Sequence, residues 1–307
     1  ALKMALGYWT NRGEPRHRIV VMEHSYHGDT IGAMSVGARG VFNRTYAELL
    51  FDVGQVPFPS PGMEQATLDA LEAMCRNEAP AAFIVEPLIL GAGGMLIYPA
   101  WVLTEMRVIC ERHDVLFIAD EVMTGWGRTG TLLACEQAGI VPDILCLSKG
   151  LTGGAIPLAV TMATPAIYDA HYSLDRSQLF YHSSSYTANP IACAAANANL
   201  DIWREEPVLK QIVTLATRQR AALAKICSLP GVADARQLGT ITALDLEAKE
   251  QGYLSTIGPQ LLTFFAEQNL LLRPLGNTIY VMPPYCIDQT DLATIYCAIN
   301  AWLERGE

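Results

Sequence analysis

Charge is sparse in this chain. Only 17% of the 307 residues are Asp, Glu, Lys or Arg, and the balance is acidic, 31 against 21, for a formal net charge of −10. No block of basic residues interrupts it, which argues against a nucleic-acid groove built on phosphate neutralisation. A long unbroken apolar run is also missing. The nearest approach, residues 87–103, is interrupted by Gly91, Gly93, Gly94 and Pro99 and falls short of the roughly 20 residues a membrane helix needs. Cysteines are present but never closely paired: the eight, at 75, 110, 135, 146, 193, 227, 286 and 297, contain no C-x-x-C. Most sit in apolar runs, where a thiol behaves as a small buried hydrophobe. Reduced thiols in a cytoplasmic protein are therefore expected, rather than a disulfide framework. The six histidines include no H-E-x-x-H, and His24 and His27, three apart, lack a carboxylate or thiol cluster; no metal is expected.

Apolar mass is plentiful, at 51% of the residues, enough for a sizeable core and two domains. Short apolar runs at 18–22, 81–85, 115–119 and 144–147 read as buried strands, with a further strand at 156–162. Amphipathic helices are expected from Ser60-Pro61 onward, where serine caps and proline takes the first helical position, and over 100–114, where Val102, Leu103, Met106 and Ile109-Cys110 share a face. Residues 39–61 read as a loop, and a short helix over 132–138 ends at Gly139. Strands alternating with helices predict an α/β fold with a mostly parallel sheet. An Ala-rich helix follows Pro190 to about Arg204. Beyond Pro207 come a helix over 208–229, strands at 241–246, 270–273 and 278–282, and a helix over 259–268. A final helix carries Leu292, Ile295, Tyr296, Ile299, Trp302 and Leu303 on one face, with Gly306 after it. The expected domains are 1–206 and a smaller α+β domain, 207–307. Ala1–Leu6 has the composition of a helix interior, without Met, cap or signal pattern, so the first domain is expected to be incomplete at its start.

The polar residues that follow the strands carry the chemistry. Open α/β sheets collect ligands at the carboxyl ends of their strands. One run ends in Asp120-Glu121, the next in Ser148-Lys149-Gly150, and a third in Glu86-Pro87. Lys149 alone reads as a surface lysine sooner than as an amine for a Schiff base. A carboxylate on the neighbouring strand favours the second, because a pyridoxal cofactor needs a lysine on its aldehyde and an acid on its ring nitrogen. Tyr26, in the polar loop after the first strand, could stack on a flat heterocycle or be a half-buried tyrosine. The serines of YHSSSYTANP could receive an anion ahead of the helix or simply cap a loop. Arg273 could hold a carboxylate in bidentate fashion or belong to an ion pair. Arg128 could clamp substrate or brace its loop.

The run D-E-V-M-T-G-W-G-R-T-G (120–130) with L-S-K-G (147–150) resembles the class III pyridoxal-phosphate aminotransferases. S-Y-H-G-D-T-I-G-A-M-S-V (25–36) and L-R-P-L-G-N-T-I-Y-V-M-P-P-Y (272–285) resemble the branch of that family that serves biotin synthesis, and the motifs follow the family's order through the whole chain. The resemblance implies a fold-type I architecture and pyridoxal 5′-phosphate held covalently by Lys149, with Asp120 on its ring nitrogen. It implies a Tyr26 that stacks on the cofactor and lines the substrate pocket, and an Arg273 that holds the carboxylate of 8-amino-7-oxononanoate. Asp29 contacts substrate or braces the Tyr26 loop, and Glu86 is accessory. Ser184 and Ser185 are expected to reach the cofactor phosphate of the other subunit of a homodimer. Ser183, where the branch often has glycine, is expected at the substrate. The implied reaction makes 7,8-diaminononanoate with S-adenosylmethionine as amino donor. Rival readings are an ω-aminotransferase for ornithine, 4-aminobutyrate or lysine, and a non-catalytic binding protein of the same fold.

Overall fold

Four of the short apolar runs become parallel strands of one sheet. The computed structural model describes residues 1–305; Gly306, the expected stop after the last helix, lies outside the described residues. Elements are numbered along the chain, which divides into two compact units.

The first unit comprises Ala1–Gly93, Tyr98–Trp126 and Leu133–Ile202. Its sheet contains β1 (Ile19–Met22), β2 (Gly54–Val56), β3 (Ala82–Val85), β6 (Leu116–Asp120), β7 (Ile144–Leu147) and β8 (Val160–Ala163), in the order β2-β1-β3-β6-β7-β8. All neighbours are parallel except β8, which pairs antiparallel with β7. β1, β3 and β6 are buried at every residue, as expected for a parallel sheet covered on both faces. On one face Ile19, Val21, Ala82, Ile84, Ile118 and Ile144 pack with Ala5 and Trp9 of α1 (Leu2–Asn11) and Ile167 of α5 (Pro165–His171). On the other, the rings of Phe83 and Phe117 meet edge-on, and α4 (Ala100–Arg112) packs against β6 and against α3 (Glu64–Glu78). The unit also holds α2 (Ile31–Ser35), the two-residue strand β4 (Ile89–Leu90) and most of α6 (Pro190–Glu205).

Register sets the functional edge. Val85 lies opposite Ala119, and Asp120 opposite Cys146, so β3, β6 and β7 end nearly level. The chain leaves β1 toward β2 on one side and returns to β3 on the other. That reversal is a topological switch point, where such sheets open a crevice.

The second unit comprises Gly94–Ile97, Gly127–Leu132 and Trp203–Glu307. It contains β5 (Leu96–Ile97) and an antiparallel sheet in the order β11-β10-β9, from β9 (Val232–Leu238), β10 (Ile241–Leu246) and β11 (Thr278–Val281). Leu215 and Leu223 of α7 (Val208–Ile226), Phe264 and Phe265 of α8 (Ile257–Glu267) and Ile299 and Trp302 of α9 (Gln289–Leu303) form its core with Leu244 and Ile279.

Several local expectations are corrected. Ser60-Pro61 does not start a helix: Met63 N–H closes a turn on the Ser60 carbonyl, Gly62 has φ +84°, and α3 begins at Glu64. The stretch 39–61 is not all loop, because it contributes a 3₁₀ turn at Arg44–Leu49 and the edge strand β2. Residues 270–273 are not a strand. Asn269 turns the chain with φ +58°, and Leu271 stands almost fully in solvent. Pro274 has no N–H to give a ladder. The strand after Lys149 begins only at Val160, and β9 is an element the sequence reading did not find.

Trp9 is fully buried and donates its indole N–H to the Ala81 carbonyl at 2.8 Å, at the entrance to β3. Trp9→Phe removes that donor and part of the ring. A loss of about 1–3 kcal/mol is expected, measured by urea unfolding of the full-length protein with an unchanged m-value.

Candidate active site

Four neighbouring strands deliver polar groups to the same sheet edge. The loop after β1 brings Tyr26 and His27, the end of β3 brings Glu86, β6 ends on Asp120, and Lys149 follows β7 by two residues. Tyr26, His27, Glu86, Asp120 and Lys149 line one cavity of about 290 Å³, with Met123 and Ala92 among its apolar walls. That size is near the lower end of the roughly 300–1,000 Å³ of small-molecule sites. Asp120 and His27 also line a second cavity of about 350 Å³, shared with Lys3, Cys146, Thr161 and His182.

Asp120 is 8% exposed, so its carboxylate must be satisfied by the protein. His27 Nδ1 donates to Oδ2 at 2.7 Å, and the Val122 N–H donates to Oδ1 at 3.1 Å. The His27 side chain is 2% exposed, and its Nε2 has no hydrogen-bond partner among the described residues. His27 is the residue that sequence reasoning missed. It was visible in the Y-H-G run, but was weighed there only as a metal ligand. Among the described residues no group of three or more His, Cys, Asp or Glu side chains could hold a metal.

Glu86 joins two loops. Its Oε1 accepts the Tyr26 N–H and its Oε2 the Gly91 N–H, both at 3.0 Å, while the Tyr98 hydroxyl donates to its backbone carbonyl. Burial pushes the Glu86 carboxyl up to about 7, against the opposing pull of His27 and the two N–H donors. The Tyr26 hydroxyl is raised, first by burial and then by the nearby Asp29 carboxylate. Cys146, opposite Asp120, is pushed up to about 11, first by burial and then by that carboxylate.

The next side chain after Asp120 has a different task. Glu121 is fully buried, and its carboxylate accepts the Thr124 hydroxyl at 2.6 Å and the N–H groups of Ala134 and Cys135 at 2.9 and 2.8 Å. It thereby fixes both ends of the loop that runs from β6 to the 3₁₀ turn Ala134–Ala138.

Lys149 is exposed and has φ +42°, a left-handed conformation that costs an L-residue about 1–3 kcal/mol. Gly150 follows beneath the Trp126 ring. A Cβ there would come within 2.6 Å of the Trp126 side chain.

The remaining expected residues lie elsewhere. Ser183, Ser184 and Ser185 are exposed and line neither cavity, whereas His182 of the same loop lines the second. Arg273 is in the second unit, exposed on an irregular segment. Arg128, also in the second unit, donates to the Pro283 carbonyl at 2.6 Å and lies over the Tyr285 ring at 4.8 Å.

A pyridoxal-type cofactor fits this donor set. The cavity offers an amine for its aldehyde, a buried carboxylate for its ring nitrogen and an aromatic wall, the groups such chemistry needs. The family described as Aminotransferase class-III matches residues 1–303. The adenosylmethionine-8-amino-7-oxononanoate aminotransferase of Synechococcus elongatus is 45% identical, over 99% of this chain and 73% of its own length. The enzyme of the same name from Nitratidesulfovibrio vulgaris is 38% identical over 96% of this chain, which spans 58% of that relative. Among solved structures, a PLP-bound amine transaminase from an uncultivated Pseudomonas species superposes with a TM-score of 0.90 at 32% identity, covering 99% of this chain and 73% of its own.

The raised Glu86 carboxyl has a testable sign. Its folded value, about 7, lies above the ordinary 4.5. Its contribution to stability is therefore complete below 4.5 and is lost as pH rises toward 7, where the folded state holds a proton that the unfolded chain has released. Glu86→Gln does not titrate. The parent's unfolding free energy should fall relative to this variant by on the order of 3 kcal/mol between about pH 5 and about pH 8, read by urea unfolding at both values. A difference independent of pH would mean that Glu86 ionises like an exposed carboxylate.

Proposed function

The chain belongs to the class III aminotransferases, and from that premise we propose that it transfers an amino group from S-adenosylmethionine to 8-amino-7-oxononanoate, forming 7,8-diaminononanoate for biotin synthesis. The observation that carries the chemistry is Lys149 and Asp120 over one cavity, at the level ends of adjacent parallel strands. The substrate assignment rests on the relatives' names and on the Tyr26 and Arg273 motifs.

When bound, pyridoxal phosphate supplies an electron sink for the charge left on a carbon that loses its proton. Lys149 Nζ would hold the cofactor by its aldehyde until released. It then acts as the base that lifts the proton and as the acid that returns it; such help is worth about 10² to 10⁴-fold. Asp120, oriented by His27, holds a proton on the ring nitrogen. Tyr26 would stack on the ring and form one wall of the substrate pocket, with Asp29 near its hydroxyl and Glu86 holding its backbone N–H. Arg273 binds the acceptor's carboxylate, for which its exposed guanidinium makes no ion pair among the described residues. The amine arrives on one substrate and leaves on the other, so the kinetics are ping-pong.

We further propose a homodimer in which Ser184 and Ser185 reach the partner's cofactor phosphate and Ser183 the partner's substrate. Its support is a first unit rich in exposed apolar side chains, among them Leu49 at 66%, Tyr172 at 76% and Tyr186 at 78%, and an exposed edge strand β8. Patches of that kind mark interaction surfaces. A cytoplasmic location fits the eight free cysteines, and no helix among the described residues is long and apolar enough to cross a membrane.

Full-length protein should carry a visible cofactor band, which S-adenosylmethionine bleaches in a half-reaction and 8-amino-7-oxononanoate restores. Lys149→Ala should lose the band and turnover. Bleaching by ornithine, 4-aminobutyrate or lysine instead of S-adenosylmethionine would replace the donor, and a protein that binds no pyridoxal phosphate would remove the reading altogether. His27→Asn should lower kcat by about 10 to 10²-fold, as loss of an orienting group does, with KM little changed. Light scattering should give twice the chain mass.

A further inference from the structure

The backbone at Lys149 poses a problem that the site residues do not solve. Lys149–Thr152 is one 3₁₀ turn, held internally by Leu151 N–H to the Ser148 carbonyl and Gly153 N–H to the Gly150 carbonyl, at 2.9 and 3.1 Å. A single turn leaves carbonyls near its end without partners of its own, here that of Leu151, and the turn begins on a left-handed lysine and ends on a left-handed glycine, Gly153. Leu151 and Thr152 are buried, so water is a poor substitute.

Asn199, in the middle of α6, supplies what is missing. Its Nδ2 donates to the open Leu151 carbonyl at 3.2 Å and adds a second bond, at 2.9 Å, to the Gly150 carbonyl that already accepts the Gly153 N–H. Both partners are carbonyls, which accept only, so the amide nitrogen must face them. The amide oxygen then points to Gly153, where a Cβ would stand 3.4 Å from it. Ala192 and Ala196 are the buried residues of this helix, and with Asn199 they follow at i, i+4 and i+7 on one face. Their small side chains bring α6 near enough for a short asparagine to span the turn. From the opposite direction Trp126 packs on Gly150, and the Ser148 hydroxyl anchors the turn's entry by donating to the Leu158 carbonyl at 2.6 Å.

We propose that Asn199 is a positioning residue for Lys149: by capping the two carbonyls that follow the lysine, it holds the strained turn that aims Nζ into the cavity. This rests on Lys149 being the cofactor lysine, and one arm of the test is independent of that reading. Asparagine is the residue the geometry demands. Aspartate has the same shape but turns lone pairs toward two carbonyl oxygens, and leucine has a similar volume without any donor.

The experiment compares Asn199→Asp and Asn199→Leu with the parent in the full-length protein, and uses Asn197→Ala, an exposed position two residues earlier on α6, as the control. In the cofactor-free protein, amide hydrogen exchange over residues 150–155 should quicken by about tenfold or more in both variants while other peptides keep parental rates, as local opening predicts. In the holoenzyme, kcat should fall by roughly 10 to 10²-fold with KM for both substrates nearly unchanged, the signature of a misaimed group. Asn197→Ala should match the parent throughout. Parental exchange over 150–155 in Asn199→Leu overturns the proposal, as does exchange raised uniformly across the protein, which is ordinary loss of helix packing. Parental kcat with locally faster exchange also overturns it, since the turn would then open without consequence for Lys149. If Lys149→Ala keeps both cofactor band and turnover, the cofactor reading fails instead, and the exchange arm still reports on the clamp.

Discussion

The structure turns on a carboxylate that cannot be left alone. Asp120 ends the central strand β6 almost out of contact with solvent, where an unpaired charge costs several kcal/mol. The hydrogen bond from His27 meets that cost and, in doing so, ties the loop after β1 to the end of β6. Everything else at the sheet edge is arranged around that pair. Glu86 takes hold of the same loop from its other side through the Tyr26 N–H. The two carboxylates feel each other: Asp120 raises Glu86, though less than burial does. The loop that carries Tyr26 is thus held by two acids from two strands, one through a side chain and one through the backbone.

The adjacent acids Asp120 and Glu121 show how strand geometry divides labour. Successive side chains leave a strand on opposite sides. Asp120 faces the cavity, whereas Glu121 is turned inward, where it accepts from Thr124, Ala134 and Cys135. The first is available to a ligand because the second closes the loop beyond it. The D-E pair is therefore one device with a chemical half and a structural half, and only the parallel register of β6 and β7 puts the chemical half beside the lysine turn.

Much of this was legible in the chain. β3, β6, β7 and β10 are apolar runs bounded by polar residues, and Asp120, Glu86 and Lys149 announce themselves by standing at or just past the ends of such runs. The failures have local causes. β2 and β9 are short or half-exposed strands without an apolar run, so periodicity could not find them. Residues 270–273 have the composition of a strand but sit between a left-handed Asn269 and a proline, and turn chemistry overrode composition. His27 and Asn199 were illegible as partners because they act across 93 and 49 residues. Sequence shows a histidine beside a tyrosine and an asparagine in an alanine-rich helix. Only the fold shows which carboxylate and which carbonyls they meet.

The same logic separates chemistry from selection. The groups proposed to handle the proton and the cofactor ring stand at the sheet edge of the first unit, where Asp120 and Glu86 are buried and hydrogen-bonded and Lys149 is exposed. Arg273 is an exposed cation on an irregular segment of the second unit. The contrast with Arg128 and Arg236 is instructive. Arg128 is spent on the Pro283 carbonyl and the Tyr285 ring, and Arg236 on Asp234, Asp245 and the carbonyls of Gly94 and Met95. All five donors of Arg236 are engaged within the fold, and Arg128 gives one to a backbone carbonyl. Of the three, Arg273 is the exposed one, and a guanidinium in solvent is the kind that the proposed contact with an acceptor carboxylate requires.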